Sequence, residues 1–152
     1  LPLSQADPVD GLVDAGAVNV RPVSVQTGAA VNHIIADQHS MLFVHAPSEV
    51  VLPVANGERR FEGGCAFIEG AYTSGRTDGA EFSIEALTKG GRWEELWRRT
   101  LDPLNDLNDR GFQRFAVEVP VGASQVRLRI APGENNQANW DWTCWGDLRL
   151  LP

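Results

Sequence analysis

Three of the chain's five tryptophans lie within six residues, in the segment NNQANWDWTCW close to the C-terminus. An indole face can stack on the C–H patches of a sugar ring, while the sugar hydroxyls need polar partners such as amides and carboxylates. The segment supplies both kinds of group, and it therefore predicts a carbohydrate site centred on Trp140. The expected contributors are Asn135, Asn136, Asn139, Asp141 and Trp142, joined by Tyr72 and Arg76 from the segment AYTSGRTDG.

The same rings could instead belong to a hydrophobic core. Trp145 lies in the run TCWGDLRLL, which is typical of a strand, and we expect its ring to be buried. Trp140 and Trp142 are two residues apart, so in an extended segment they point the same way. They could line a groove or cap the fold, and Trp140 is the ring that we expect to face a ligand.

A second polar segment, DPLNDLNDRG, carries oxygen-bearing side chains of the kind that bind Ca²⁺, which takes about six to eight oxygen ligands. The candidate ligands are Asp106, Asn108 and Asp109, although their spacing is not that of an EF-hand. The alternative is a solvated turn whose Asn and Asp side chains bond to their own backbone. The three histidines fit no compact zinc motif; they are His33, His39 and His45.

No catalytic motif accompanies these clusters. The sequence contains no Gly-x-Ser-x-Gly elbow, no phosphate-binding loop and no His-Glu-x-x-His pair. Its 20 acidic residues would include a pair at glycosidase spacing by chance, so carboxylates alone do not indicate hydrolysis. The net charge of −7 argues against nucleic acid and against an anionic membrane surface, because both attract a basic face. We therefore expect a domain that is not an enzyme.

Short alternating strands must position these residues. The runs AEFSIEALT, FQRFAVEVP and QVRLRIAP each place apolar side chains on one face and polar ones on the other. Eight or nine such segments predict an all-β fold, an antiparallel two-sheet sandwich of jelly-roll type. We expect one domain over residues 1–152, with an irregular N-terminal segment over residues 1–20. The expected core is Phe82, Ile84, Val117, Val126, Leu128, Ile130 and Trp145.

Three features leave alternatives open. The segment GRWEELWRRTL fits a helix and a strand about equally well, because it is short. Cys65 and Cys144 could form one disulfide or remain two buried thiols. The two glycines in RRFEGGCAF indicate either a bulge or a close approach of other atoms to the backbone.

Three segments within roughly residues 40–150 resemble the NPCBM-type domains (novel putative carbohydrate-binding modules) of the galactose-binding-like jelly rolls: DGAEFSIEAL, LDPLNDLNDRGFQRFAVEVP and ASQVRLRIAPGENNQANWDWTCWGDLRL. The resemblance implies a β-sandwich outside the cytoplasm, periplasmic or secreted, that associates with carbohydrate. Trp140, Trp142 and Cys144 depart from the family's usual ending, so its sugar specificity does not carry over. The matching positions are Asp78, Gly79, Phe82, Ile84, Val126, Leu128, Ile130, Gly133, Asn135, Asn136, Asp141, Trp145, Asp147 and Leu150.

Two functional hypotheses follow. The first is a non-catalytic, lectin-like carbohydrate-binding module, accessory to a larger carbohydrate-active or membrane protein. The chain does not begin with Met, which fits a piece excised from such a protein. The second is a structural or protein-interaction domain of the same fold that binds no sugar. Beyond a structural Ca²⁺ we expect no cofactor, and the expected partners are carbohydrate and the other domains of the parent chain.

Overall fold

A computed structural model of the chain describes residues 8–27, 31–73, 77–133 and 142–152, with side chains described from Gly11 onward. Within these residues the strands are β1 (Ser24–Thr27), β2 (Asn32–Ala36), β3 (His39–Phe43), β4 (Ser48–Pro53), β5 (Arg60–Phe67), β6 (Ala80–Leu87), β7 (Trp93–Leu101), β8 (Gln113–Glu118), β9 (Gln125–Pro132) and β10 (Thr143–Leu151). They form two five-stranded sheets: the first sheet has the order β1-β4-β9-β6-β7, and the second has the order β2-β3-β10-β5-β8. Neighbouring strands in both sheets are antiparallel.

The two sheets enclose one core, as the alternating sequence predicts. In β6, Phe82 and Ile84 point inward, and they lie opposite Ile130 and Leu128 of β9 in register. Six of the seven expected core residues are buried. The exception is Val117, which is half-buried because β8 is the outermost strand of the second sheet. The fold-class prediction is therefore confirmed, and the core prediction is wrong at this one edge position.

Aromatic rings from both sheets meet at the centre of the core. The Trp145 side chain of β10 is fully buried, and its ring centroid lies 5.4 Å from that of Phe82, 6.0 Å from that of Phe115 and 6.4 Å from that of Trp97. The contacts are edge-to-face, the arrangement that aromatic pairs prefer. Phe82 and Trp97 belong to the first sheet, and Phe115 and Trp145 belong to the second. The ring cluster therefore holds the two sheets together.

Truncating Trp145 tests this role. Because the ring is fully buried among three other rings, Trp145→Ala should lower the free energy of unfolding by about 3–5 kcal/mol. Urea denaturation followed by circular dichroism measures the change, with the exposed residue Val121→Ala as the control. A Trp145→Ala variant with wild-type stability would contradict the central position of this ring.

Strand β7 settles the ambiguous segment GRWEELWRRTL. It pairs with β6 along its whole length, from Leu101 opposite Ala80 to Trp93 opposite Leu87. A bulge in this pairing leaves Leu96 unopposed, so that Leu96 and Trp97, although consecutive, both pack against the core. The bulge explains why the apolar residues are not spaced at the strict two-residue period of a regular strand.

The N-terminal segment is more regular than expected. Residues 8–14 form the helix α1 (Pro8–Asp14), and Leu12 is fully buried in the core. Beyond the helix, Val18 forms a parallel bridge with Leu148 of β10. The expectation of an irregular segment over residues 1–20 is therefore wrong for this part, because Leu12 and Val18 complete the core.

No helix among the described residues is long and apolar enough to cross a membrane.

Cys65 and Cys144 are two free, buried thiols that face opposite sides of the second sheet. Cys65 lies opposite Trp145 and Cys144 lies opposite Ala66, so the side chains of the two cysteines point to different faces. Cys65 belongs to the core between the sheets, whereas Cys144 packs with Met41 and Ala66 on the outer face. The disulfide alternative is therefore wrong, because strand alternation separates the two sulfur atoms.

Burial should make both thiols unreactive in the folded protein. It raises the pKa of each thiol well above the ordinary value, so very little of the reactive thiolate is present at neutral pH. We expect 5,5′-dithiobis(2-nitrobenzoate) to label neither cysteine of the native chain quickly and both in urea. Rapid labelling of one thiol before unfolding would show that this residue is exposed, and labelling of none in urea would show a disulfide.

Candidate functional site

The two described residues that are predicted to bind a ligand, Tyr72 and Trp142, lie at one end of the sandwich. At this end β5, β7 and β9 stop and β6, β8 and β10 begin, as the pairing of Phe67 with Thr143 and of Ala80 with Leu101 shows. The connection from β5 to β6 contains the short helix α2 (Glu69–Thr73), and we call this end of the sandwich the α2 end. Loops at one end of a rigid sandwich commonly carry binding residues.

Trp142 lies against α2. Its backbone carbonyl accepts a hydrogen bond from the Ile68 amide at 2.8 Å, which fixes the start of β10 beside the helix. Its half-buried ring packs so closely on Gly70 that a Cβ atom at that position would lie 2.9 Å from a ring carbon. The ring also contacts the core, so Trp142 caps the sandwich at the α2 end.

Tyr72 of α2 brings a phenol and a guanidinium together at the same end. The Arg110 guanidinium carbon lies 4.9 Å from the centroid of the half-buried Tyr72 ring. Burial raises the pKa of the phenol, and the carboxylates of Glu69 and Asp37 raise it further. The hydroxyl therefore stays protonated at neutral pH and can donate a hydrogen bond.

Six of the predicted ligand-binding residues lie outside the described residues: Arg76, Asn135, Asn136, Asn139, Trp140 and Asp141. The described residues that flank them are at the α2 end. Gly133 follows β9, and a Cβ atom there would lie 2.5 Å from the Asp78 carbonyl oxygen, so only glycine fits. Trp142 precedes β10, and Thr73 and Thr77 flank the segment that contains Arg76. Both segments therefore leave and rejoin the described fold beside Tyr72 and Trp142.

The predicted calcium ligands lie in the loop between β7 and β8, where two of them accept hydrogen bonds from backbone amides of the same loop. Asp106 accepts a hydrogen bond from the Asn108 amide, and Asp109 accepts one from the Asp102 amide, both at 2.9 Å. Asp109 also lies 3.5 Å from a guanidinium nitrogen of Arg99. Over the part of the chain that the structure describes, no three His, Cys, Asp or Glu residues are grouped to hold a metal. Calcium binding here stays a prediction.

A cluster on the outer face of the second sheet holds the loop between β7 and β8 in place, and the sequence analysis did not predict this cluster. Phe112 at the end of the loop packs over Gly64, where a Cβ atom would collide with its ring. The His39 ring stacks on Phe112 with 3.8 Å between centroids, and His39 Nδ1 lies 2.5 Å from a carboxylate oxygen of Asp147. Asp147 has a φ of 50° next to a bulge in β10. The available signal in the sequence was the pair Gly63 and Gly64. The interpretation that other atoms approach the backbone closely at this pair is confirmed.

Gly64→Ala tests whether the loop depends on this contact. Alanine normally favours a strand over glycine, but here it would displace the Phe112 ring, and we expect a loss of about 1–3 kcal/mol in the free energy of unfolding. Gly90→Ala is the matched control, because the nearest atom to an added Cβ lies at 3.9 Å. Amide exchange should accelerate in residues 107–112 of the Gly64 variant only. Equal stability of the two variants would contradict the packing of Phe112.

The sequence of the chain has a distant relative among known proteins. No protein-family model matches the chain. An uncharacterized protein of Archaeoglobus fulgidus is 26% identical over 122 residues, which cover 78% of this chain and 29% of that protein. The chain therefore spans less than a third of the length of this relative.

Similar solved structures include several with carbohydrate-binding modules of the CBM51 type. The CBM51 module of Clostridium perfringens GH95, solved with methyl-galactose, has a TM-score of 0.65 at 15% identity, with 87% of this chain and 95% of that chain covered. The CBM51-2 and INT domains of C. perfringens ZmpB, solved with GlcNAc, have a TM-score of 0.64 at 15% identity over 87% of this chain and 30% of that chain. The tandem CBM51 modules of the Streptococcus pneumoniae family 98 glycoside hydrolase have a TM-score of 0.61 at 15% identity, with 100% of this chain and 52% of that chain covered. The chain shares the β-sandwich fold of these modules.

Proposed function

We propose that the chain is a non-catalytic carbohydrate-binding module of a larger protein. The observation that carries the proposal is that the α2 end holds both the Tyr72–Arg110 contact and the Trp142 ring on Gly70. The segments that contain Trp140 and Arg76 begin and end next to described residues at this same end. Aromatic rings, a guanidinium and amides are the groups that a sugar ring requires. Two modules of the same fold, described above with GlcNAc and methyl-galactose, support the choice of ligand class.

In the proposed site, Trp140 stacks on the sugar while Asn135, Asn136, Asn139 and Asp141 bond its hydroxyls. Trp142 and Tyr72 form the base of the site, and the protonated Tyr72 hydroxyl donates to a sugar oxygen. Each such hydrogen bond replaces one made with water, so its net contribution is small. We therefore expect dissociation constants in the high-micromolar to millimolar range, about −4 to −6 kcal/mol.

The wider context belongs to the same proposal. The sequence resemblance to NPCBM-type domains and the CBM51 fold both fit an accessory module outside the cytoplasm, which keeps its parent protein close to a glycan. In such a module the sandwich supplies no reaction chemistry, and the ligand contacts are made by the loops. A Ca²⁺ ion held by Asp106, Asn108 and Asp109 would then order the loop that carries Arg110.

One observation favours the alternative, a protein-interaction domain. The outer face of the second sheet carries an apolar cluster of Met41, Ala66 and Cys144, with partly exposed apolar neighbours around it. Ile34 of the adjacent β2 lies opposite Met41 and packs against this cluster. Such a face suits another domain of the parent protein, and this role is compatible with a sugar site at the α2 end.

Substitution of Trp140 tests the proposal. We expect NMR titration of the wild-type chain with GlcNAc, methyl-galactose, glucosamine and galacturonate to show weak binding of at least one sugar. Trp140→Ala should lower that affinity at least tenfold, whereas Trp140→Phe, which keeps a stacking ring, should lose less. Val121→Ala, which lies in the turn between β8 and β9 at the opposite end, is the control.

Each outcome has a distinct meaning. Loss of binding after addition of EDTA, with recovery in Ca²⁺, would support the calcium prediction, and no change would contradict it. Equal binding by Trp140→Ala and wild type would place the site elsewhere. Absence of binding to all four sugars in the presence of Ca²⁺ would favour the protein-interaction domain.

A further inference from the structure

A groove of about 780 Å³ crosses the outer face of the first sheet. Polar side chains from all five strands form one row across it, because their positions are in register from β1 to β7: Gln26, Glu49, Arg129, Ser83 and Arg98. Four interstrand spacings of about 4.8 Å give this row a length of about 19 Å. The groove is therefore long enough for an extended ligand and does not resemble a pocket for one small molecule.

Ion pairs hold the polar groups of the groove in place. Arg129 lies 3.6 Å from Glu49 on one side and 3.6 Å from Glu85 on the other. Arg98 contacts Glu81 at 2.8 Å and Glu95 at 2.5 Å. These pairs are partly exposed, so they add little to stability. Their effect is to fix planar hydrogen-bonding groups before a ligand arrives, which lowers the entropic cost of binding.

Trp93 provides an aromatic surface in the same groove. Its ring is half-exposed and lines the groove wall, and the Arg127 guanidinium carbon lies 4.0 Å from the ring centroid. Arg127 is itself held by two hydrogen bonds to Glu85. The ring is therefore fixed by a cation–π contact, a geometry in which it can also pack against the C–H groups of a ligand.

The charges of the groove restrict its ligand. Four carboxylates line it, those of Glu49, Glu81, Glu85 and Glu95, against the two guanidinium groups of Arg98 and Arg129. Carboxylates accept hydrogen bonds from hydroxyl and ammonium groups and repel other anions. The excess of carboxylates therefore favours a neutral or amino-bearing polyhydroxyl chain over a uronate or sulfated one.

The groove also reaches the α2 end. Glu81 and Ala131 line it, and each is adjacent to a residue at the α2 end, Ala80 or Pro132. Pro132 directly precedes Gly133, where the segment containing Trp140 begins. A chain bound at the α2 end could therefore continue along the outer face of the first sheet.

We propose that this groove is a second binding surface, which takes an extended stretch of a neutral or amino-sugar glycan. The proposal rests on the proposed carbohydrate function, and it adds a surface that contacts the internal units of a chain. Stacking on Trp93 and hydrogen bonds from the fixed row make these contacts. Hexasaccharides should accordingly bind more tightly than their monosaccharides, and only the extra affinity should depend on the groove.

A steric block tests the groove directly. Ser83→Trp fills its centre from β6, and Ala116→Trp places the same exposed ring on the outer face of the second sheet as the matched control. Trp93→Ala removes the aromatic contact instead. Calorimetric titrations use the hexamers of N-acetylglucosamine, glucosamine and galacturonate, each beside its monosaccharide, and circular dichroism checks that each variant is folded.

We expect the neutral or amino hexamer to bind the wild-type chain at least tenfold more tightly than its monosaccharide. Ser83→Trp and Trp93→Ala should remove most of this gain without changing monosaccharide binding, whereas Ala116→Trp should keep it. If the gain survives in both groove variants, or if no hexamer shows a gain, the groove proposal is overturned while sugar binding at the α2 end stands. Tightest binding of the galacturonate hexamer would overturn the charge argument. Absence of binding to every sugar would instead overturn the proposed function itself.

Discussion

The edge-to-face contact of Trp145 with Phe82 and Phe115 is the interaction on which the rest of the structure depends. It joins the central region of one sheet to that of the other, and Trp97 completes the cluster from β7. Because rings fill the interior, the buried polar chemistry is minimal, and the Trp145 indole nitrogen has no hydrogen-bond partner among the described residues. Ligand chemistry must therefore lie on the surfaces that this core leaves free, the two ends and the two outer faces.

The outer faces of the two sheets differ in chemical character. The first sheet carries a network of Glu–Arg ion pairs across β4, β9, β6 and β7, which keeps an open surface solvated while holding it rigid. The second sheet instead carries apolar residues around Met41, and Phe112 closes it over Gly64. A hydrated glycan suits the first surface, and a protein neighbour suits the second. Under the proposed function, the first sheet would face a sugar and the second sheet a protein neighbour.

The sequence predicted the fold because strand alternation is a local signal. The patterns around Phe82 and Leu128 each identify an inward face without knowledge of the partner strand. The disulfide question needed the register of β5 on β10, which sets Cys65 opposite Trp145 and so turns Cys144 away. The cluster of His39 and Asp147 also depends on contacts between distant segments, which no local pattern encodes. For the candidate site, the sequence identified Tyr72 and Trp142 but not Arg110, whose position beside Tyr72 is set by the loop after β7.

Because the α2 end adjoins the groove, one glycan can contact both surfaces, and two weak contacts then raise its overall affinity. A single sugar ring at the α2 end would dissociate easily, because water replaces most of its hydrogen bonds. When the same glycan also contacts the groove, the second contact is intramolecular, and its effective concentration is set by the short path from Pro132 across Ala131 to Arg129. Avidity then requires no strong individual site. A module built in this way would discriminate between glycans by the length and charge of the chain as well as by the identity of its terminal sugar.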